Sequence, residues 1–214
     1  MSDKPIKVVL VSESGVGKTS ILTRLIQETF DPCSVSNIGI TQTVQTINIV
    51  KKNTSLTFDI WDTAGQERFR SLTKVFFKNA KIVVFVYDIT NETTFNALKT
   101  FWFENARDNC GSNVIFAIAA NKSDLYENEE VNEEDVKNFA KSIDAIYVQT
   151  SACNNAGIDT LFQFIGMKYL DSSFNYLESD KQQEQYLQEY KDGRKRIKLN
   201  DKANQKEEEK GCGC

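Results

Sequence analysis

Residues 6–19 read IKVVLVSESGVGKT, and this stretch decides the fold. The apolar run Ile6–Val11 is typical of a buried strand, and a helical pattern begins at Lys18. Between them lies a short loop that contains Gly15 and Gly17. Such a loop directs backbone N–H groups inward, and the helix dipole that follows favours an anion there. The stretch therefore predicts a strand, a phosphate-binding loop and a helix.

The loop follows the pattern GxxxxGK[ST] except at its first position, where Ser12 replaces glycine. Lys18 is expected to neutralise the β- and γ-phosphates of a nucleotide, and Thr19 offers a hydroxyl to Mg²⁺. The Cβ of Ser12 restricts positive φ, and we expect it to tighten the loop. A glycine turn with a chance Lys-Thr pair is the alternative, and the flanking strand and helix argue against it.

Outward from this stretch, apolar runs alternate with helical patterns. We expect strands at Ile6–Val11, Ile47–Val50, Leu56–Trp61, Ile82–Tyr87, Val114–Ala120 and Ile146–Thr150. We expect helices at Lys18–Glu28, Thr93–Asn109, Glu133–Ile143 and Ile158–Leu170. This alternation predicts an α/β fold with a doubly wound, mostly parallel six-stranded sheet flanked by helices.

Composition bounds the organisation and the classes of function. The chain has 214 residues, of which 40% are hydrophobic, and Gln, Lys and Glu dominate after Asp171. We therefore expect one domain over residues 1–171 and a flexible tail over residues 172–214. The formal charge of −4 argues against nucleic acid as a partner. The sequence has no histidine, which excludes His-based catalysis and His-ligated zinc.

The sequence also bears on the compartment. No window approaches the ~18 apolar residues of a membrane span, and the start lacks a signal-peptide pattern. The five cysteines show no CxxC spacing. We expect a cytoplasmic protein with reduced thiols.

Two further motifs follow predicted strands, namely NKSD at residues 121–124 and TSA at residues 150–152. The carboxylate of Asp124 can accept both N1–H and N2–H₂ of guanine, a donor pair that adenine does not supply. Asn121 can tie this base loop to the phosphate loop, and the Ala152 N–H can meet guanine O6. Parallel strands end at one edge of a sheet, where ligands bind. The motifs therefore predict a guanine nucleotide.

Four motifs together resemble the small GTPases of the Ras superfamily, specifically the Rab branch. They are GVGKTS at residues 15–20, WDTAGQERF at residues 61–69, and the NKSD and TSA motifs. The resemblance covers approximately residues 6–170. It implies a GTP-binding and GTP-hydrolysing switch that regulates vesicle trafficking by recruiting effectors in its GTP state. A P-loop nucleoside or metabolite kinase is a weaker alternative, because no second substrate domain or arginine-bearing lid is present.

The resemblance also implies roles for individual residues. Gln66 would orient the attacking water as the catalytic residue, and Mg²⁺ would be held by Thr19, Asn37 and Asp62. Effectors would contact Gln42, Trp61 and Phe76, with exposed rings at the last two positions. Nucleotide contacts are implied for Ser14, Gly15, Val16, Gly17, Lys18, Thr19, Ser20, Phe30, Gly65, Asn121, Lys122, Asp124, Ser151, Ala152 and Cys153.

Departures at Ser12, Asn37 and Gln42 qualify the resemblance. Asn37 stands where the family has a threonine that closes on Mg²⁺, and Gln42 replaces one aromatic of the effector triad. We hypothesise a weaker GTP-ordered switch, and a weakly cycling pseudo-GTPase that acts as a binding module is the alternative. No arginine lies between Arg24 and Arg68, so the first switch segment supplies no arginine finger. Slow hydrolysis that depends on an activating protein in trans is expected.

The chain ends in Cys212-Gly-Cys214, which is not a CaaX box. This ending resembles that of the doubly geranylgeranylated Rabs. It implies reversible anchoring to the cytosolic face of endomembranes through two prenyl groups. It also implies an escort protein or GDP-dissociation inhibitor, beside the exchange factor, GTPase-activating protein and effectors of the family.

Overall fold

The computed structural model describes residues 4–32, 40–63 and 73–174. Six strands in these ranges form one sheet, and in chain order they are β1 (Ile6–Val11), β2 (Thr41–Ile49), β3 (Thr54–Asp62), β4 (Ile82–Asp88), β5 (Ile115–Asn121) and β6 (Ile146–Gln149). Their order across the sheet is β2-β3-β1-β4-β5-β6.

The sheet is parallel except at one edge, where β2 pairs antiparallel with β3. This confirms the predicted doubly wound, mostly parallel, six-stranded α/β fold. Since β1 has β3 on one side and β4 on the other, the connections diverge at its carboxyl end. Open α/β sheets bind their ligands at such a point.

The helices cover both faces of the sheet. They are α1 (Lys18–Gln27), α2 (Thr73–Phe77), α3 (Glu92–Ala97), α4 (Phe103–Asn109), α5 (Glu133–Ser142) and α6 (Ile158–Leu170). A π-helical turn, Leu98–Trp102, joins α3 to α4, and 3₁₀ turns occupy Val50–Lys52 and Ser123–Asn128. None of the helices in the described ranges combines the length and apolar character needed to cross a membrane.

The predicted element bounds hold best for buried elements. Strand β1 and helix α6 have the predicted bounds, whereas β2 begins at Thr41 rather than Ile47. The reason is that β2 is an edge strand whose side chains alternate toward solvent, so its first half is polar and shows no apolar run. Helices α2 and Ser123–Asn128 were not predicted, because elements this short carry little periodicity.

Strand β1 lies at the centre of two apolar cores. Val8 and Leu10 face one core, which the sheet forms with α1 and α6. Val9 and Val11 face the other, which contains residues of α2 to α5. All four side chains are fully buried, as expected for a central strand covered on both faces. The strand end that leads into the phosphate loop is therefore rigidly held.

Gly157, just before α6, offers a test of this packing. Its φ is +69°, and a Cβ there would lie 1.9 Å from the carbonyl oxygen of Gln149, at the end of β6. Because the clash is with backbone, we expect Gly157→Ala to lower the free energy of unfolding by about 2 kcal/mol or more, measured by urea denaturation. Gly111→Ala is the control, since no heavy atom lies within 4 Å of its added Cβ. Equal unfolding midpoints for the two variants would contradict this account.

Candidate nucleotide-binding site

The phosphate loop lies between β1 and α1, and two glycines shape it. Gly15 and Gly17 have φ of +78° and +96°, in the left-handed region that favours glycine. Gly17 also permits a close approach, because a Cβ there would lie 2.4 Å from Nδ2 of Asn121. Ser12 is not among the described residues with positive φ, so its Cβ does not strain the backbone.

The Lys18 ammonium is buried within this loop. Its Nζ donates hydrogen bonds to Ser12 Oγ at 2.6 Å and to the Glu13 carbonyl oxygen at 3.2 Å. Burial lowers the pKa of Lys18 from 10.5 to about 8, although the carboxylates of Asp62 and Glu13 partly offset this. A desolvated cation with its neighbours already in position is well placed to hold an anion.

Thr19 and Asp62 lie together at the adjoining strand end. The Thr19 hydroxyl donates to Oδ2 of Asp62 at 2.6 Å, across 43 residues of sequence, and Asp62 is only 2% exposed. A hydroxyl and a carboxylate are oxygen donors of the kind that Mg²⁺ prefers. The pair therefore fits the metal that the sequence implies.

Asn121 links the base loop to the phosphate loop. Its Nδ2 donates to the Val16 carbonyl oxygen at 2.7 Å, while its Oδ1 accepts from the Thr150 hydroxyl at 3.2 Å. The side chain is 1% exposed, so these bonds form away from water. The structure thus contains the link between loops that the sequence suggested.

A serine holds the carboxylate of the base loop. The fully buried Ser151 donates from Oγ to Oδ1 of Asp124 at 2.5 Å, and the Asn154 N–H donates to the same hydroxyl at 3.2 Å. Asp124 also lines the cavity at this edge of the sheet. Its carboxylate is therefore oriented in advance, as base recognition requires.

The Lys122 side chain is fixed by an acid that the sequence analysis missed. Its Nζ lies 2.5 Å from Oδ2 of Asp88, whose Oδ1 accepts from both the backbone N–H and the hydroxyl of Thr90. Lys122 has φ of +65°, which turns the chain at the end of β5. Asp88 could have been found from its position, because it ends β4 and pairs with Asn121 of the neighbouring strand β5.

Arg24 of α1 holds the backbone of the TSA loop, a role that no sequence motif indicated. Its Nε donates to the carbonyl oxygen of Ala152 and its Nη2 to that of Cys153, both at 2.8 Å. The Arg24 guanidinium carbon also lies 6.0 Å from the centre of the Phe30 ring. Contacts across more than 120 residues leave no local pattern, so sequence reasoning had nothing to detect.

Trp102 supports the phosphate loop from the other core. Its indole Nε1 donates to Oε1 of Glu13 at 3.1 Å, and the ring is 2% exposed. Trp102 closes the π-helical turn, a feature that frequently marks functional sites. Glu13 is therefore held at its carboxylate by Trp102, while its carbonyl receives Lys18.

These loops line a cavity of about 260 Å³ that opens at the carboxyl edge of the sheet. Most of its lining within the described ranges was predicted from the sequence, and of those described residues Asp31, Pro32 and Leu125 were not. The predicted residues that line it are Gly15, Gly17, Ser20, Phe30, Asn121, Lys122, Asp124, Ala152 and Cys153. The other predicted residues adjoin the lining in the chain. Ser14 and Val16 belong to the phosphate loop, Lys18 and Thr19 to the first turn of α1, and Ser151 to the TSA loop.

Two of the three expected effector positions lie at the sheet edge formed by β2 and β3. Gln42 and Trp61 are opposite each other in the β2–β3 register, and both donate to the carboxylate of Asp59, at 2.7 and 3.0 Å. The Trp61 ring is half-buried and carries Lys7 Nζ 3.8 Å above it. The expectation of an exposed ring at Phe76 is wrong: it is 1% exposed, because this face of α2 packs into the core.

Five of the predicted residues lie outside the described ranges. They are Asn37, Gly65, Gln66, Cys212 and Cys214. Their roles stay predictions from the sequence.

Comparison with known proteins identifies the family of the chain. A family model described as the Ras family matches residues 7–171. Human Ras-related protein Rab-22A is 44% identical over 165 residues, which cover 76% of this chain and 82% of that protein. Human Ras-related protein Rab-31 is 42% identical over 168 residues, or 77% and 83% of the two chains. Ras-related protein RabJ of Dictyostelium discoideum is 34% identical over 181 residues, or 85% and 70%. The chain belongs to the Rab-type small GTPases of the Ras superfamily.

Proposed function

We propose that the cavity at the carboxyl edge of the sheet binds GTP and GDP with Mg²⁺, and that the loops around it carry out the family's reaction. Rab-type small GTPases use these nucleotides, hydrolyse GTP and act in membrane trafficking, and so does this chain as a member. The observation that carries the assignment of the site is the Asn121–Val16 hydrogen bond, which joins the phosphate loop to the base loop across one cavity.

The phosphate end of the site is built to stabilise negative charge. Backbone N–H groups around Gly15 and Gly17 and the start of α1 would hold the phosphates, and Lys18 would neutralise them. Thr19 and Asp62 would hold Mg²⁺, which bridges phosphate oxygens and neutralises charge in this class of enzyme. Asn37 would offer a further oxygen.

The base end would select guanine. Asp124 would accept the two guanine N–H donors while Ser151 holds its carboxylate in place. Phe30 and the Lys122 stem would flank the ring, since both line the cavity. Adenine would leave the Asp124 carboxylate without these donors, which is the costly case for a polar site.

Hydrolysis in this class needs little covalent chemistry from the protein, so positioning and electrostatics do most of the work. Gln66 would orient the attacking water, and the Gly65 N–H would contact the γ-phosphate. The first switch segment offers no arginine, so an activating protein would supply one. No observation on the described residues favours the weakly cycling alternative.

Cycling between membrane and cytoplasm would use the chain terminus. Two prenyl groups on Cys212 and Cys214 would anchor the protein to the cytosolic face of endomembranes, since one lipid chain alone binds only marginally. An escort protein or GDP-dissociation inhibitor would extract it. An exchange factor, an activating protein and effectors that contact the Gln42 and Trp61 surface would complete the cycle.

Gln66 provides the direct test of hydrolysis. We expect Gln66→Leu to slow single-turnover hydrolysis of preloaded GTP by at least about tenfold, because the attacking water loses its orienting partner. GDP affinity should stay unchanged. Gln27→Leu, at the far end of α1, serves as the control with the wild-type rate. An unchanged rate in Gln66→Leu would remove Gln66 from the mechanism.

Cys153 provides a footprint of the nucleotide without any substitution. It is exposed and lines the cavity, so GDP with Mg²⁺ should slow its alkylation by iodoacetamide at pH 8, as followed by peptide mass spectrometry. Cys110 is the internal control, because burial raises the pKa of its thiol to about 11 and keeps it slow in both states. Equal Cys153 labelling with and without GDP would place the nucleotide elsewhere.

A further inference from the structure

Ser12 occupies the first position of the phosphate loop, where the GxxxxGK[ST] pattern has glycine. Its side chain is 2% exposed and points into the loop rather than to solvent, since its hydroxyl contacts both Glu13 and Lys18. A glycine at this position would offer no such group. The substitution therefore adds one buried oxygen beside the ammonium that is expected to hold the nucleotide phosphates.

The hydrogen-bond directions make this oxygen an acceptor toward the ammonium. Ser12 Oγ donates its single proton to the Glu13 carbonyl oxygen at 2.7 Å. Only its lone pairs are then available to Lys18, whose Nζ donates to them at 2.6 Å. Toward Lys18, the hydroxyl is therefore a hydrogen-bond acceptor, as a phosphate oxygen would be.

The Lys18 ammonium has too few N–H donors for all the acceptors that GTP would bring to it. A lysine ammonium has three N–H donors. Ser12 Oγ and the Glu13 carbonyl oxygen already take two of them. With GDP, one β-phosphate oxygen would take the third donor. With GTP, oxygens of both the β- and the γ-phosphate would approach the ammonium, so four acceptors would compete for three donors.

We propose that the Ser12 hydroxyl competes with the γ-phosphate of GTP for the Lys18 ammonium and thereby shifts nucleotide preference toward GDP. The proposal rests on the proposed nucleotide site. Ser12 is thus a specificity-determining residue that acts through Lys18. The Trp102–Glu13 hydrogen bond supports this arrangement, because it holds the residue whose carbonyl receives both the Ser12 and the Lys18 protons.

The test is the ratio of two affinities, which cancels any effect of a substitution on the nucleotide-free protein. Fluorescently labelled GDP is displaced by GDP or by the non-hydrolysable GTP analogue with a β–γ imide, from full-length wild type, Ser12→Ala and Ser12→Gly. We expect both substitutions to raise the affinity for the analogue relative to GDP by about tenfold, the scale of one hydrogen bond to a charged group. Ser112→Ala, an exposed serine before β5, should keep the wild-type ratio.

The two substitutions separate the hydroxyl from the Cβ. A ratio that changes in Ser12→Gly but not in Ser12→Ala would assign the effect to the Cβ and overturn the proposal, as would wild-type ratios in both. A wild-type protein that binds neither nucleotide would instead contradict the nucleotide site itself. Retained GDP binding by each variant shows that its site is folded.

Discussion

The hydrogen bond from Asn121 to the Val16 carbonyl oxygen is the interaction on which the site depends. It fixes the end of β5 against the phosphate loop, two parts of the chain separated by 105 residues. The approach is close enough to require glycine at position 17, since any Cβ there would overlap the amide. Because the amide is buried and bonded at both its nitrogen and its oxygen, losing it would deprive the Val16 carbonyl oxygen of this donor and the Thr150 hydroxyl of its shorter hydrogen bond. The phosphate loop and the base loop therefore form one structural unit.

Around this link, neighbouring groups hold the charged side chains of the site in place. Lys18 is buried, which lowers its pKa, and the two residues that accept its hydrogen bonds are held in turn, Ser12 by the Glu13 carbonyl and Glu13 by Trp102. Asp124 is held by Ser151, and Lys122 by Asp88. Such preorganisation avoids reorganisation when charge must be stabilised, which is how phosphoryl-transfer enzymes obtain most of their rate. The polar edge strand β2 lies outside this network, and its Gln42 pairs with Trp61 of the neighbouring strand β3.

The sequence predicted the parts of this structure that carry local patterns. Largely apolar runs located β1 and β4, and the motif at residues 121–124 located the base loop, because each is a short contiguous signal. The first half of β2 escaped prediction since an edge strand is polar on its exposed side. Arg24 and Trp102 escaped for a different reason: their partners lie 89 to 129 residues away, and folding alone brings them together. The burial of Phe76 likewise depends on tertiary packing, because a five-residue helix is too short for its sequence pattern to indicate a buried face.

The two joined loops are proposed to bind a guanine nucleotide. The most direct measurement is chromatographic identification of the nucleotide released by denaturing protein purified in Mg²⁺ buffer, with its molar ratio to the chain. We expect one equivalent of GDP or GTP, because the phosphate loop holds a buried Lys18 ammonium and Asp124 lines the cavity where guanine would bind. An empty protein, or one carrying an adenine nucleotide, would contradict the account.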